Sequence, residues 1–232
     1  MITIGNKTVR KVLSMLIPFL FIPSLVVGGA FIFREKSYSY VSLAVTLLSL
    51  LLFVCGFEKK QTGTRRLIII AVMTALAVVG RFIFSPIPGA NPVSAIAITA
   101  AIYLGKESGF LIGALSALIS NFYAGQGVWT PFQMLTWGLI GLVAGLLSVY
   151  LKKSRIALCA YGLVSGLCYS LLMDIWSVIW YNGTFSLRLY AAAIMTAIPH
   201  TVIYAVSTAV FLLLFAKPFG EKLERVKIKY GV

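Results

Sequence analysis

The chain has 232 residues, of which 60% are hydrophobic and only 11% are charged, and its mean hydropathy is +0.97. Soluble domains average about 45–50% apolar and about 25% charged residues, so this composition excludes a water-soluble fold. The formal net charge of +14 could indicate a nucleic-acid-binding protein. The basic residues cluster at the ends of apolar segments, however, as they do in membrane proteins. We therefore expect membrane lipid, and no nucleic acid, around the chain.

Eight apolar runs follow one another and predict an all-α integral membrane protein. A membrane-spanning helix needs about 20 apolar residues, and most of the runs approach or exceed that length. The first run could be a signal peptide, but it is long and no A-x-A cleavage site follows it. The fourth run is short, so we expect a tilted or partly re-entrant segment there. The runs cover residues 12–33, 41–57, 67–84, 93–104, 109–123, 132–151, 156–180 and 189–215.

The distribution of charge predicts the orientation in the membrane. Alternating the runs places the basic N-terminus, the polar strip 58–66, Lys106, the cluster 152–155 and the basic tail on one side. The other side carries Arg34, Lys36 and Arg188 and two uncharged loops. Because Lys and Arg accumulate on the cytoplasmic side of membrane proteins, both termini should be cytoplasmic in a multi-pass plasma-membrane protein.

The loops on the less charged side have an unusual composition. Their sequences SPIPGANP, YAGQGVWTP and YNGTFSLR are rich in Pro, Gly, aromatic and amide residues. Most tryptophans and tyrosines near these loops can be explained as an interfacial aromatic belt. Trp129 differs, because it lies inside its loop between Gln126 and Gln133. Together with Asn91, this stretch favours loops that cap a pocket.

Three ionisable residues lie within apolar runs, namely Arg81, Asp174 and His200. Such residues are costly in a bilayer and by default indicate function. Arg81 could pair with Asp174 or extend to the interface, and His200 could be an ordinary packing residue. The sequence contains no P-loop, HExxH or GxSxG motif, and its cysteines lack metal-ligand spacing. We therefore expect no enzyme, no metal site and no cofactor.

Small residues four apart occur on several runs. Ala71 and Ala75 form one such stripe, which allows a second helix to approach closely, either within the bundle or from a partner. The pairs Gly109/Gly113, Gly141/Gly145 and Gly162/Gly166 should pack inside the bundle.

The stretch 71–147 resembles the substrate-binding membrane subunit, or S component, of energy-coupling-factor (ECF) vitamin transporters. The resemblance rests on AVMTALAVVGRFIFSPIPGANPVSAI and on GFLIGALSALISNFYAGQGVWTPFQMLTWGLIGLVAGLL. The run SNF-x-x-GQG-x-WTP-x-QM is specific to one branch of these proteins, whereas A-x-x-x-A alone is a weak signal. In the family, the alanine motif faces the transmembrane coupling subunit.

The resemblance implies a six-helix substrate-binding core over residues 65–217. Two additional transmembrane helices and a basic linker (1–64) would precede it, and a basic cytoplasmic tail (218–232) would follow. The two additional helices depart from the family pattern and could modulate assembly or add packing. The core would capture a vitamin-like molecule from outside, while the coupling subunit and two cytosolic ATPases supply energy.

Cobalamin or a cobalamin precursor is the leading ligand, because the branch resembles corrinoid-linked members; riboflavin and queuosine-type heterocycles remain open. Two other classes of function remain possible. The first is a membrane enzyme that acts on a lipid or prenyl substrate through Asp174 and His200, and the second is a scaffold without ligand. The predicted substrate-binding residues are Arg81, Asn91, Asn121, Tyr123, Gln126, Trp129, Gln133, Asp174, Trp180 and His200, and the predicted coupling residues are Ala71 and Ala75.

Overall fold

The computed structural model describes residues 7–32, 38–55 and 63–230, and every regular element in these ranges is a helix. The all-α prediction is confirmed for this part of the chain. Arg34, Lys36 and most of the predicted strip 58–66 lie outside the described residues. The helices are α1 (Lys7–Leu16), α2 (Ile22–Ile32), α3 (Tyr38–Cys55), α4 (Gly63–Ile83), α5 (Val93–Leu104), α6 (Lys106–Ala124), α7 (Thr130–Leu146), α8 (Ser148–Lys153), α9 (Arg155–Asn182) and α10 (Leu187–Tyr230).

Four helical stretches in the described residues are long and apolar enough to cross a membrane. Three shorter apolar helices accompany them, at Tyr40–Ser49, Val93–Leu104 and Thr130–Leu146. The protein is therefore a multi-helix membrane protein, while the number of eight spans stays a prediction. The four long stretches are Thr8–Gly29, Thr64–Ile83, Arg155–Asn182 and Leu187–Lys229.

The first apolar run forms one continuous helical segment, with a single π-helical turn in its middle. A π-helical turn, Ile17–Phe21, joins α1 to α2, and the Ile22 N–H donates to the Ile17 carbonyl. Pro18 lies within this turn. Because proline has no N–H and its ring crowds the preceding turn, the regular α-helical ladder cannot continue there.

The short fourth run forms α5, which lies at the centre of the core. Twelve residues span only about 18 Å at the α-helical rise. The helix contacts α4, α6, α7 and α10, and most of its side chains are buried. It ends at Gly105, whose φ of +96° suits a residue without a β-carbon. The other helices, rather than lipid, therefore surround this segment.

The glycine stripes pack helix against helix, as predicted. A β-carbon on Gly113 would lie 2.5 Å from the Trp137 carbonyl carbon, so α6 and α7 touch through their backbones. Gly162 and Gly166 on α9 approach α10 in the same way, against Ala209 and Ala205 respectively.

The last helix is longer than the sequence predicted. The eighth apolar run ends at residue 215, but α10 continues through Pro218 to Tyr230. Leu223 is buried, and its exposed fraction is 7%. A β-carbon on Gly220 would collide with the Tyr103 ring. The predicted tail 218–232 is thus, as far as residue 230, the end of the last core helix.

The sixth run, predicted to be continuous to residue 151, breaks at Leu147. The backbone there has φ −91° and ψ 8°, outside the α-helical region, and the short helix α8 follows.

The bundle has two chemically different ends. We call the end with Arg66, Lys106 and Lys152 the basic end, where Arg66 donates to the Leu104 carbonyl and to Ser108 Oγ. We call the opposite end the loop end; it carries the connections 84–92, 125–129 and 183–186. Helix α3 packs on α6 and α7, and α2 packs on α7, so the N-terminal helices add to one side of the core.

Candidate substrate-binding site

A network of buried polar and aromatic side chains lies inside the loop end of the core. Every helix from α4 to α10 except α8 contributes to it, because each of these six helices brings one or more polar or aromatic groups to it. We call this set the buried network. Its members are Arg81 (α4), Ser94 (α5), Ser120 and Asn121 (α6), Thr130, Gln133 and Trp137 (α7), Tyr169 (α9) and Tyr204 (α10).

Asn121 is the centre of the network and is fully buried. Its Nδ2 donates to Thr130 Oγ1 at 2.9 Å and to Gln133 Oε1 at 2.8 Å. Gln133 Nε2 in turn donates to the Tyr169 hydroxyl at 3.2 Å. Buried amides need such partners, since no lipid group can supply a hydrogen bond. The contacts fix the positions of α6, α7 and α9 relative to one another.

Arg81 points into the bundle from near the end of α4. Its Nη1 donates to Ser120 Oγ and, at 2.8 Å, to Asn121 Oδ1. The guanidinium carbon lies 5.0 Å from the centroid of the Trp137 ring, within the range of a cation–π contact. Arg81 therefore does not extend to the membrane interface. Nor does it form an ion pair with Asp174 in the part of the chain that the structure describes.

Three aromatic rings form a stack beside the guanidinium. The centroids of Trp137 and Tyr169 are 5.4 Å apart, those of Tyr169 and Tyr204 are 4.5 Å apart, and the interplanar angles are 13° and 14°. Trp137 Nε1 donates to the Tyr204 hydroxyl at 2.7 Å, and Ser94 Oγ lies 2.7 Å from the same oxygen. Trp137 is fully buried, so it is not one of the tryptophans that form an interfacial belt.

The loop between α6 and α7 folds on its own side chains. Gln126 Nε2 donates to the Leu118 carbonyl at 2.8 Å, and its Oε1 accepts from Thr130 Oγ1 at 3.0 Å. The Trp129 ring covers Gly127, where a β-carbon would lie 2.5 Å from a ring atom. Trp129 also meets Trp176 of α9 edge-to-face, with centroids 6.2 Å apart. This loop forms a fixed cover next to the buried network.

The other predicted residues lie around the network rather than in it. Asn91 Oδ1 accepts from the Val93 N–H and so shapes the start of α5. Tyr123 is exposed and packs edge-to-face on Phe82. Trp180 stacks on Trp176, with a centroid distance of 6.4 Å.

Asp174 lies on α9 and His200 on α10, and neither belongs to the buried network. The His200 ring stacks at 6.2 Å on Tyr204 and thus borders the network. Among the described residues, no group of three or more His, Cys, Asp or Glu side chains could hold a metal ion.

Sequence reasoning missed six members of the network, namely Ser94, Ser120, Thr130, Trp137, Tyr169 and Tyr204. Serine and threonine in an apolar run commonly bond to their own helix, and tyrosine is common at interfaces. The available signal was that each long run of the core contains a large polar or aromatic side chain near its middle or loop end. Buried groups of this kind need partners on other helices.

Ala71 and Ala75 lie on the opposite face of α4 from Ala77, which is buried. Both alanines are exposed on the outside of the bundle. The internal packing that accounts for the glycine stripes therefore does not account for this one.

A comparison with protein families gave one match. Residues 61–219 match the model of the ECF-type riboflavin transporter, S component. Comparison with curated proteins and with solved structures gave no match. The matched residues cover more than half of the chain and include all of the buried network. The chain belongs to the family of S components of ECF-type riboflavin transporters, and it is a substrate-specific subunit of a membrane transporter.

Proposed function

We propose that this protein captures a heterocyclic vitamin at the loop end and presents it for ATP-driven uptake. The observation that carries the proposal is the buried network, in which six helices bring amides, hydroxyls, a guanidinium and stacked rings together. An apolar bundle needs no such set for stability alone, because every buried polar group must first be desolvated. The family match supports a transport subunit rather than an enzyme.

The chemistry of the network favours a flat, polar-edged ligand. Ligand sites are commonly lined by aromatic faces, with a few convergent polar groups that fix orientation. Here Trp137, Tyr169 and Tyr204 supply parallel planes for stacking. Asn121 and Gln133 supply amide donors and acceptors at the edge of those planes. A heterocycle with carbonyl or amide groups on its rim matches both features.

Two ligands are the leading candidates. Cobalamin is favoured by the resemblance of SNF-x-x-GQG-x-WTP-x-QM to corrinoid-linked members, and its rim of amides suits Asn121 and Gln133. Riboflavin is favoured by the description of the matched family, and its fused rings suit the aromatic stack. Binding experiments with both ligands separate the two.

The partners and orientation follow from the same proposal. A transmembrane coupling subunit would dock on the exposed face of α4 at Ala71 and Ala75, where small side chains permit close helix approach. Two cytosolic ATPases would supply the energy. The loop end would face outward and the basic end would face the cytoplasm of the plasma membrane, with both termini inside.

Ligand binding to the purified chain tests the proposal. In lipid nanodiscs without ATP, either riboflavin or cyanocobalamin should bind with a stoichiometry of one, measured by isothermal titration calorimetry. Gln133→Leu should weaken that binding at least tenfold, whereas Asn182→Leu, at an exposed position outside the network, should leave it unchanged. If neither vitamin binds, or if Gln133→Leu binds as well as the wild type, the proposal fails.

A further inference from the structure

Arg81 is half-buried and brings a positive charge into the candidate site, and no carboxylate of the described residues forms an ion pair with it. Four of the six acidic residues lie in the described ranges, and Glu107, Glu221 and Glu224 belong to the basic end. The fourth, Asp174, lies on α9 and forms no ion pair with Arg81. Among the described residues, Arg81 makes hydrogen bonds only to the neutral oxygens of Ser120 and Asn121.

Holding the Arg81 charge inside the bundle without an opposite charge beside it costs free energy. A guanidinium has five N–H donors, and the hydrogen bonds of Arg81 in the described structure come from Nη1 alone. Neutral acceptors and the Trp137 face reduce the cost of burial but do not cancel a full charge. A side chain long enough to reach the interface is instead held inward by two helices.

We propose that Arg81 is the anion anchor of the ligand site and takes an anionic oxygen of the ligand, such as a phosphate. This inference rests on the proposed function and specifies the charge of the ligand class. Arg binds phosphate and carboxylate oxygens through its planar fork of donors. The position beside Trp137 would place the anionic group next to the aromatic stack, so one ligand can stack on the rings and pair with Arg81.

The space around Arg81 is consistent with this role. A cavity of about 290 Å³ lies between the loop ends of α4 and α6, and Arg81, Ser85 and Ser120 are among its lining residues. The walls of this cavity are largely apolar, and the Ser120 hydroxyl donates to the Ser116 carbonyl, so the guanidinium is the group there that can donate to an anion. Two further hydroxyls, those of Tyr169 and Tyr204, belong to the aromatic stack whose Trp137 ring lies 5.0 Å from the guanidinium carbon.

Matched ligand pairs that differ in a phosphate group test the anchor. The flavin pair is riboflavin and riboflavin 5′-phosphate, and the corrinoid pair is cobinamide and cobinamide phosphate, each as the dicyano form. In nanodiscs, the phosphate-bearing member of whichever pair binds should have at least a tenfold lower Kd. Arg81→Gln should weaken binding of the phosphate-bearing member at least tenfold more than binding of the phosphate-free member, and an unfolding midpoint close to that of the wild type would show that the variant is folded.

Two further variants complete the design. Arg81→Lys keeps the charge and should retain part of the preference. Arg188→Gln removes an exposed charge at the loop end and should leave both affinities within twofold of wild type. If the wild-type protein binds the two members of the pair with equal affinity, Arg81 is not an anion anchor. That result would not contradict the proposed capture of a vitamin. If neither the four compounds nor cyanocobalamin binds, the proposed function is overturned as well.

Discussion

The α6–α7 interface and the outer face of α4 carry similar sequence motifs in opposite environments. In the first, Gly109 and Gly113 meet α7 with backbone against backbone. In the second, Ala71 and Ala75 have the same spacing of four residues but lie on the exterior of the bundle. A stripe of small residues therefore indicates close approach, but only the fold decides whether the partner is another helix of the same chain.

The contrast extends to the two faces of α4 itself. Its exterior face is an apolar surface with small residues, whereas Arg81 reaches from the same helix into the buried network. We interpret α4 as the helix that joins ligand site and partner surface. The predictions below test whether those two surfaces are separable, starting from the largest expected effect.

The contact between α6 and α7 at Gly113 should not tolerate the addition of a single methyl group. In Gly113→Ala, the new β-carbon would overlap the Trp137 carbonyl, and α6 and α7 would have to move apart. We expect a loss of about 3 kcal/mol of stability, as for an overpacked core, measured as a lowered midpoint of thermal unfolding in detergent. The control is Gly28→Ala in α2, where a β-carbon meets no atom within 4 Å. Equal midpoints for the two variants would show that the backbones are not in contact.

The alanine stripe should be required for partner binding and not for ligand binding. Bulky side chains in Ala71→Leu combined with Ala75→Leu would hold an approaching helix away. We expect at least a tenfold loss of co-purifying coupling subunit, with the vitamin Kd within twofold of wild type. Ala160→Leu, at an exposed position of α9, is the matched control. If the double variant still forms the complex, Ala71 and Ala75 do not lie in the interface with the coupling subunit.

Asn121 should affect ligand affinity and, to a lesser extent, stability. Asn121→Leu leaves Arg81, Thr130 and Gln133 without a shared partner, and each buried unsatisfied group costs about 1–3 kcal/mol. We expect vitamin affinity to fall at least tenfold by calorimetry and thermal stability to fall modestly. Asn182→Leu, at the exposed last residue of α9, should change neither quantity. If Asn121→Leu binds the vitamin with the same Kd as the wild type, the ligand binds outside the buried network.

The smallest effect is expected at the basic end. Lys152 Nζ lies 2.8 Å from Glu224 Oε1, and both side chains are nearly half exposed. Exposed ion pairs contribute about 0–1 kcal/mol, so Lys152→Gln should lower the unfolding midpoint only slightly and should not affect vitamin binding. A large loss of stability would mean that the end of α10 depends on this pair rather than on the burial of Leu223.

The sequence predicted the parts of the fold that depend on local chemistry. Residues 93–104 were predicted as an apolar segment, and α5 has the same bounds because Pro92 precedes it and Gly105 ends it. The continuation of α10 to Tyr230 could not be predicted in this way. It depends on the burial of Leu223 and on the contact between Gly220 and Tyr103, which is 117 positions away in the sequence.

The candidate site shows the same division between local and long-range information. Arg81, Asn121 and Gln133 were recognisable because they are polar residues in or beside apolar runs, and the structure brings them together. Tyr169 and Tyr204 were not, since a lone tyrosine in such a run does not reveal which helix it faces. Their stacking on Trp137 arises from three helices that meet only in the folded bundle.

Identification of the small molecule that stays bound during purification tests the central claim most directly. The protein would be expressed in rich medium, purified in nanodiscs and denatured, and the released compounds would be identified by mass spectrometry. We predict one heterocyclic vitamin or its phosphate at close to one equivalent per chain, and much less in Asn121→Leu prepared in parallel. The absence of any such compound, together with no binding of added riboflavin or cyanocobalamin, would contradict vitamin capture by the buried network.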